Sequence, residues 1–541
     1  MGQQLTEAKD KQLSEKILRI INKVVMFLPF LSLFMMNWRT DSDTYWIIKT
    51  GEYICKNGIP TKDFLTFHTN MDLVVQQWLS DVIFYKLYSL MGFVGPMLLV
   101  LIMYTVFLLL FRKLCLEISN KPIVANIATF IAGIAMPAFM VTRPQIFTYS
   151  IILIELICLE KFIKDGKYKH LCILPILSVL VVNLHASMWT MLFIVLLPFL
   201  ANALPIKING KSIACCKIIP LIITAVIMAV FGLITPYGVR GLTFIFTTSV
   251  GDKVNNLIGE LNPLTFSFDI SAISNWMELF AILCIYLFYK KGKTNIRYVL
   301  LTAGTAIMML MYIKLTPYFI ICAVPSTLKY IDNIDFRGAF EKTVKKDQEA
   351  KKKTNKKESK GLIKATVALI FVFIILIVGT LGSGMYNEAS NYVKYNGTNK
   401  SMQRLDTAID AMQNDIDENN ITDLRLFNGF NVGGYLEFKG YTTYIDARAD
   451  SFIEEANHEF DYLTEYFKVV DGKKNYKKVF NKYNFNYALI EKKSEKPLYV
   501  NLKNDSNYEL IFKNKEYAVF KKINKNQETN NENSSNNTVL Q

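Results

Sequence analysis

Apolar residues in this chain are gathered into long blocks separated by short polar connections. "PMLLVLIMYTVFLLLF" (96–111), "IITAVIMAVFGLI" (222–234) and "LIKATVALIFVFIILIVGTL" (362–381) are the clearest. A run of about 20 apolar residues is what a helix needs to cross the hydrocarbon core of a bilayer. Such runs must be helical, because lipid satisfies no backbone hydrogen bond. Hydropathy predicts eleven spans, near 18–36, 92–111, 122–141, 145–163, 171–186, 188–204, 217–235, 276–289, 298–313, 315–330 and 362–382.

The polar pieces between and after these blocks carry different periods. In the piece after the first span, a helix is predicted from Thr44 to Lys56, stopped by Asn57-Gly58. "WLSDVIFYKLYSLMG" is a second, with Leu79, Val82, Ile83, Lys86, Leu87 and Leu90 at helical spacing. Late in the chain "SMQRLDTAIDAMQ" reads as a helix, and "LRLFN", "GGYLEF", "TTYID", "NYALIE", "YELIF" and "YAVFKK" read as strands, with Gly433-Gly434 as a turn signal. The asparagine-rich end lacks apolar residues to build a core and is expected to be disordered.

Charge orients the spans. Lys11, Lys16 and Arg19 precede the first span, and clusters follow the second (Arg112, Lys113, Lys121), fourth (Lys161, Lys164, Lys167, Lys169), sixth (Lys207, Lys211, Lys217) and eighth (Lys290, Lys291, Lys293). Ten lysines between Lys342 and Lys364 follow the tenth. Every second connection is the basic one, which puts the N-terminus in the cytoplasm and the C-terminal domain outside the cell membrane. The domains expected are a transmembrane domain over 1–335 with an outer loop at 37–91, a basic cytoplasmic loop at 336–361, a last transmembrane helix at 362–382, an extracytoplasmic α/β domain at 383–522 and a disordered tail at 523–541.

Composition narrows the class. With 51% apolar residues in blocks, the net charge of +15 belongs to the membrane-facing loops, so no nucleic-acid partner is expected. Of eight cysteines only Cys215 and Cys216 are adjacent, which leaves neither a metal pair of CxxC type nor a disulfide framework.

Candidate chemistry begins where the first span ends. In "MNWRTDSDTYW", Asp41 and Asp43 stand two apart: about 200° apart on a helix, but on one face of an extended segment. Two convergent carboxylates can hold a divalent cation against a phosphate, or one can take a proton from an attacking hydroxyl. The plain alternative makes Asp43 the cap of the helix at Thr44 and leaves Asp41 solvated. Arg143, at the short outer connection before Pro144, offers a guanidinium fork to a lipid phosphate or an interface anchor. His185 in "VVNLHASMW" is a candidate base or one half of a polar pair between helices. Lys314 in "IKLTPYF" contacts phosphate or snorkels. In "YIDARAD", Asp446, Arg448 and Asp450 suit an internal salt bridge.

Taken in order, "DSDTYWIIKTGEYICKNGIPTKDFLTF", "QQWLSDVIFYKLY", "RPQIFTY", "NLHASM", "TPYG", "IGELNP", "KLTPYF", "FNGFNVGGYL" and "YIDARAD" resemble the polytopic membrane glycosyltransferases of the GT-C superfamily, in the group akin to lipid-A glycosyltransferases and protein mannosyltransferases. The resemblance spans about 18–335 and 424–452. It implies an inverting transfer of one sugar from a polyprenyl-phosphate-linked donor, among membrane lipids, to an extracytoplasmic lipid, glycan or protein acceptor. Asp41 or Asp43 would be the catalytic base, the pair a possible ligand set for a divalent cation, and Arg143 and Lys314 would face the donor phosphate. The chain departs from the pattern at Gln76-Gln77-Trp78, where similar proteins have His-Glu-Trp, and at Lys314, where they have arginine; no Trp-Trp-Asp of the oligosaccharyltransferase kind is present. The rival class is a non-enzymatic polytopic membrane protein, a lipid or glycan transporter or an envelope assembly scaffold, which should carry ionisable residues deep in its spans.

Overall fold

The computed structural model describes residues 25–119, 121–208, 211–212, 214–249, 263, 279–284, 286–287, 295–331 and 379–523. The start of the first predicted span, both ends of the eighth, most of the eleventh, the basic loop and the tail from 524 lie outside the described residues. In chain order the helices used below are α1 (Ser42–Asn57), α2 (Trp78–Met91), α3 (Val94–Ile118), α4 (Pro122–Ala135), α5 (Gln145–Asp165), α6 (Ile173–Leu184), α7 (Trp189–Ala203), α8 (Ile218–Phe231), α9 (Ile296–Met311), α10 (Thr316–Ile331), α11 (Lys400–Glu418) and α12 (Gly433–Phe438). The strands are β1 (Lys207–Ile208), β2 (Lys211–Ser212), β3 (Leu426–Asn428), β4 (Tyr487–Glu491), β5 (Tyr508–Lys513) and β6 (Tyr517–Lys522).

The chain divides into two compact units. One, the apolar unit, draws on Met1–Trp38, Met91–Leu242 and Ile258–Lys394; the other, the mixed unit, joins Arg39–Leu90 and Thr243–Leu257 to Tyr395–Gln541.

In the apolar unit, two stretches among the described residues, Val94–Ile118 and Ala186–Ala203, are long and apolar enough to cross a membrane. At 1.5 Å per residue the 25 residues of α3 reach about 37 Å, more than a hydrocarbon core. Shorter apolar helices accompany them at Val25–Met35, Pro122–Ala135, Tyr168–Leu184, Ile218–Phe231 and Ile296–Met311. The number eleven therefore stays an expectation. A break at Tyr312 and a 3-10 turn at Ile313–Leu315 separate α9 from α10, with Pro317 in the first turn of the second helix. α8 buries Leu221, Thr224 and Met228 and turns Ile219, Ile222, Ile223, Val226 and Val230 outward. Such an outward apolar surface needs a lipid or an apolar partner to cover it.

Polar groups inside this unit are knitted across helices. Trp189 Nε1 donates to Ser178 Oγ, which donates to Met228 O, tying α7, α6 and α8. Tyr104 Oη donates to Gly133 O at 2.5 Å, joining α3 to α4. Arg297 of α9 forks onto Glu160 of α5, with Nε and Nη2 each 3.0 Å from a carboxylate oxygen, and Nη1 reaches Asn202 Oδ1 of α7 at 3.0 Å.

The mixed unit holds a four-stranded sheet in the order β3-β4-β6-β5. β3 runs parallel to β4 from Leu426↔Tyr487 to Asn428↔Leu489, while β4–β6 and β5–β6 are antiparallel. β4 and β6 are central and buried on both faces, so they read as continuous apolar runs. α11 lies on β5 and β6. It buries Leu405, Ala408, Ile409, Met412 and Ile416 at helical spacing, and Asn399 caps it by accepting the N–H of Met402.

Two predicted strands are not strands. "GGYLEF" is the helix α12, and "TTYID" is irregular apart from one bridge from Thr443 to Thr66. The reason is tertiary: a Cβ on Gly433 would lie 2.1 Å from Ile445 O, and one on Gly434 3.1 Å from the Trp46 ring. The glycine pair serves close approach rather than a turn.

Candidate functional site

The helix α1 starts directly after an extended residue. Asp41 has φ −76° and ψ 151°, and its Oδ1 accepts the backbone N–H of Asp43 at 3.0 Å, so Asp41 is the N-cap and Asp43 lies in the first turn. The pair therefore does not share one face of an extended strand, and the capping residue is Asp41 rather than Asp43. The cause is local: an aspartate side chain satisfies an otherwise orphaned first-turn N–H two residues on. The helix dipole favours negative charge at this end. At the other end Gly58 adopts φ 84°, which closes the helix where Asn57-Gly58 predicted it.

What holds α1 is buried and built from late sequence. Thr44, Tyr45, Trp46, Ile47 and Ile48 are all buried. Tyr45 meets Tyr435 edge to face at 4.7 Å, and Trp46 lies on Gly434. Gly433 in turn sits on Ile445 and Asp446. Asp446 receives Arg448 through Nε at 3.0 Å and Nη2 at 2.6 Å, and Arg448 Nη1 donates to Asp63 Oδ1 at 2.7 Å. The Arg448 side chain is 6% exposed and both aspartates 0%. The salt bridge expected inside "YIDARAD" is present, and its second carboxylate comes from the segment after α1.

Two further acids are buried around this triad. Glu437 Oε1 accepts the hydroxyl of Thr443 at 2.6 Å, while its Oε2 has no hydrogen-bond partner among the described residues. Burial first, then the charge of Asp446, pushes its carboxyl well above the usual range. Asp81 of α2 is fully buried with neither oxygen hydrogen-bonded among the described residues, and burial pushes it well up against the opposing pull of Arg448. His68 Nε2 donates to Tyr444 O at 3.0 Å, and its ring lies tilted over that of Tyr462 with centroids 3.8 Å apart. Burial lowers it to about 4. Among the described residues no group of three or more His, Cys, Asp or Glu side chains is arranged to hold a metal ion.

The remaining candidates belong to the apolar unit. Arg143 is half-buried in the turn before α5, its N–H donating to Val141 O at 2.7 Å. His185 ends α6 and its Nδ1 lies 2.8 Å from Thr148 Oγ1 of α5, while the neighbouring Asn183 donates to Val179 O and Ile234 O. The polar link between helices is thus made, with threonine as the partner of the histidine. Lys314 is exposed in its 3-10 turn and is the charged neighbour of His185. Asp63, Asp81, Glu437 and the Arg297–Glu160 pair were not signalled by any spacing. Asp63 and Arg448 are 385 residues apart, and Arg297 and Glu160 137 apart.

No family model matches the chain, and no curated protein does. Among solved structures it is similar to the archaeal oligosaccharyltransferase AglB from Archaeoglobus fulgidus in complex with an inhibitory peptide and a dolichol-phosphate, with 13% identity and a TM-score of 0.48, over 86% of this chain and 69% of that one. At that TM-score the likeness adds no weight, and the functional reading stands on the residues themselves.

Proposed function

We propose that this chain is a membrane glycosyltransferase that moves a sugar from a polyprenyl-phosphate-linked donor to an extracytoplasmic lipid, glycan or protein acceptor, with inversion, and that Asp41 or Asp43 is its general base. The observation that carries the reading is the pair of carboxylates at the start of α1, a helix buried from Thr44 to Ile48. In the reaction the acceptor oxygen forms a bond to the anomeric carbon as the bond to the phosphate oxygen breaks. The acceptor proton passes to the carboxylate, which must lie within hydrogen-bond reach of that hydroxyl. Negative charge gathers on the departing phosphate, and Arg143 and Lys314 are the cations this reading assigns to it. Asp41 and Asp43 together supply two carboxylates, the number with which Mg²⁺ is commonly shared between a protein and substrate phosphates. No step here is routed through a metal.

One observation favours the non-enzymatic alternative. Glu155 of α5 is fully buried, and neither of its oxygens has a hydrogen-bond partner among the described residues. Ionisable groups inside apolar helices mark ion or substrate paths in transporters.

The test compares Asp41→Asn, Asp43→Asn and Glu155→Gln in cells lacking the native gene. Glycan and glycolipid profiles are read alongside protein level and thermal stability. An amide still accepts the capping hydrogen bond but is a far poorer base. Loss of a glycosylated product in one Asn variant with unchanged stability supports the enzyme. Wild-type profiles in both Asn variants and in their double variant would sink it, and a defect confined to Glu155→Gln would favour transport.

A further inference from the structure

We propose that the mixed unit carries a saccharide-binding cleft, in which the amides of Asn501, Asn504 and Asn507 take the hydroxyls of one sugar ring. The cleft has a volume of about 360 Å³ and opens to solvent between the first turn of the helix Tyr476–Lys482, the last turn of the helix Lys496–Lys503 and the loop that leads into β5. That is the lower part of the ~300–1,000 Å³ found for small-molecule sites, room for one ring rather than a long glycan. Neither α1 nor any residue of the reaction proposed above lines it.

The floor of the cleft is built around Asp505, which is buried. Its Oδ2 accepts the hydroxyl of Tyr476 at 2.5 Å and Nζ of Lys477 at 3.0 Å, and its Oδ1 accepts the Asn507 N–H at 3.1 Å and Asn507 Nδ2 at 2.9 Å. Burial opposes the charge, yet these bonds, that of Tyr476 first, hold the carboxyl at about 2. Asp505 also ties the backbone, its N–H donating to Leu502 O at 3.2 Å and its carbonyl accepting the Tyr508 N–H at 3.0 Å. Loop and both helices are thus fixed to one another before a ligand arrives, which spares the ordering cost that binding otherwise carries.

The groups left over decide the ligand. A carboxylate has about four lone-pair positions, and those of Asp505 are filled, so a metal ion finds no free carboxylate among the lining residues. Lys477 is paired with Asp505, so an anion finds no unpaired cation among them. What remains is neutral and polar: the exposed amides of Asn501 and Asn504, three residues apart at a helix end and so on one face, with Asn507 Oδ1 and the exposed hydroxyl of Ser506. An amide offers donors and an acceptor in one plane, and a hydroxyl both donates and accepts. Neighbouring hydroxyls of a sugar ring answer that pattern, one accepting from the amide nitrogen while the next donates to its oxygen.

The experiment takes the full-length protein in lipid nanodiscs, so that no sugar-headed detergent competes, and titrates it by saturation-transfer NMR with the methyl glycosides of glucose, galactose and mannose and with N-acetylglucosamine. Glycerol and inorganic phosphate are the acyclic and anionic comparisons. The affinity per atom of drug-sized ligands, applied to the about 13 non-hydrogen atoms of a methyl hexoside, gives a Kd on the order of 1 mM. A lost hydrogen bond weakens binding about 2- to 10-fold, the change expected of Asn501→Ala and of Asn504→Ala, with a larger one in the double variant. Tm should stay in place, because neither side chain holds Asp505. Binding is read alone, so the outcome is independent of the reaction proposed for Asp41 and Asp43. Saturable binding of a saccharide, weakened in this way at unchanged Tm, would establish the site. No saccharide binding at about ten times that concentration, glycerol or phosphate bound as well as any sugar, binding that the double variant leaves intact, or a loss seen only where Tm has fallen would overturn it.

Discussion

Arg448 neutralises Asp63 and Asp446 in a site from which all three side chains have lost water. Removing one partner of a buried ionic group strands the others, a loss of about 3–5 kcal/mol. Arg448→Met is expected to lower the apparent Tm of the solubilised protein by several degrees. Arg448→Lys should fall between, because an ammonium cannot fork onto two carboxylates. Equal melting of all three proteins would refute a stabilising role. His68 gives a pH signature. Its folded value near 4 lies below the ordinary 6.5, so the unfolded chain binds a proton that the folded one refuses. The stabilisation is whole above 6.5 and is lost as pH falls toward 4, up to roughly 3 kcal/mol. Glu495 acts in the opposite sense. Burial raises it from 4.5 to about 7 against the bond from Tyr466, so its contribution is present below 4.5 and lost as pH rises through 7. His68→Gln should remove the acid-side loss, leaving a stability that only falls with pH across the range between them. Denaturant melts at pH 4.5, 5.5 and 6.5 read this directly, and an unchanged acid limb in the variant would contradict it.

At the scale of elements, helix stops were legible where a φ requirement or a proline set them, whereas the start of α1 lies two residues before the predicted one. Asn57-Gly58 ends α1, and the lysine-proline stretch at 314–317 marks the break between α9 and α10. Glycines used for closeness were not, because a turn glycine and a packing glycine look alike in a sequence. Gly433-Gly434 suggested a turn between strands and instead admits α1 to α12. Gly51 is the sharper case, since a Cβ there would lie 2.0 Å from the carbonyl oxygen of Asp81 in α2. Gly51→Ala must push the two helices apart, for a loss of about 1–3 kcal/mol. Gly58→Ala meets no atom within 4 Å but must hold φ 84°. With ψ at −172° this is backbone that essentially only glycine adopts, and the strain is about 1–3 kcal/mol. Thermal melts should show both variants weakened, with Gly51→Ala also loosening protease resistance between α1 and α2. A Gly51→Ala protein as stable as wild type would mean that the helices separate freely.

For the whole molecule, the segment Arg39–Leu90 belongs to the same compact unit as the chain from Tyr395 onward. A fragment of 395–523 expressed alone therefore lacks Asp63 and leaves Arg448 with one carboxylate. It should melt lower than the same fragment carrying residues 39–90 on a flexible linker, and equal melting points would show that the fragment completes its own core. Cysteine labelling tests the expected orientation: a cysteine at Lys473, which is 71% exposed, should react from outside intact cells, and one at Lys353 only after permeabilisation. Labelling of position 353 from outside would invert the topology. The sequence by itself determined the apolar helical blocks, the capped helix that follows the first of them and the strands β3 to β6, because hydropathy, helical spacing and caps are properties of neighbours a few residues apart. Only the tertiary structure decided that "GGYLEF" is a helix and that Asp63 shares an arginine with Asp446. Those outcomes depend on which backbones approach within a few ångströms and which charges lose water together, and such meetings join positions hundreds of residues apart.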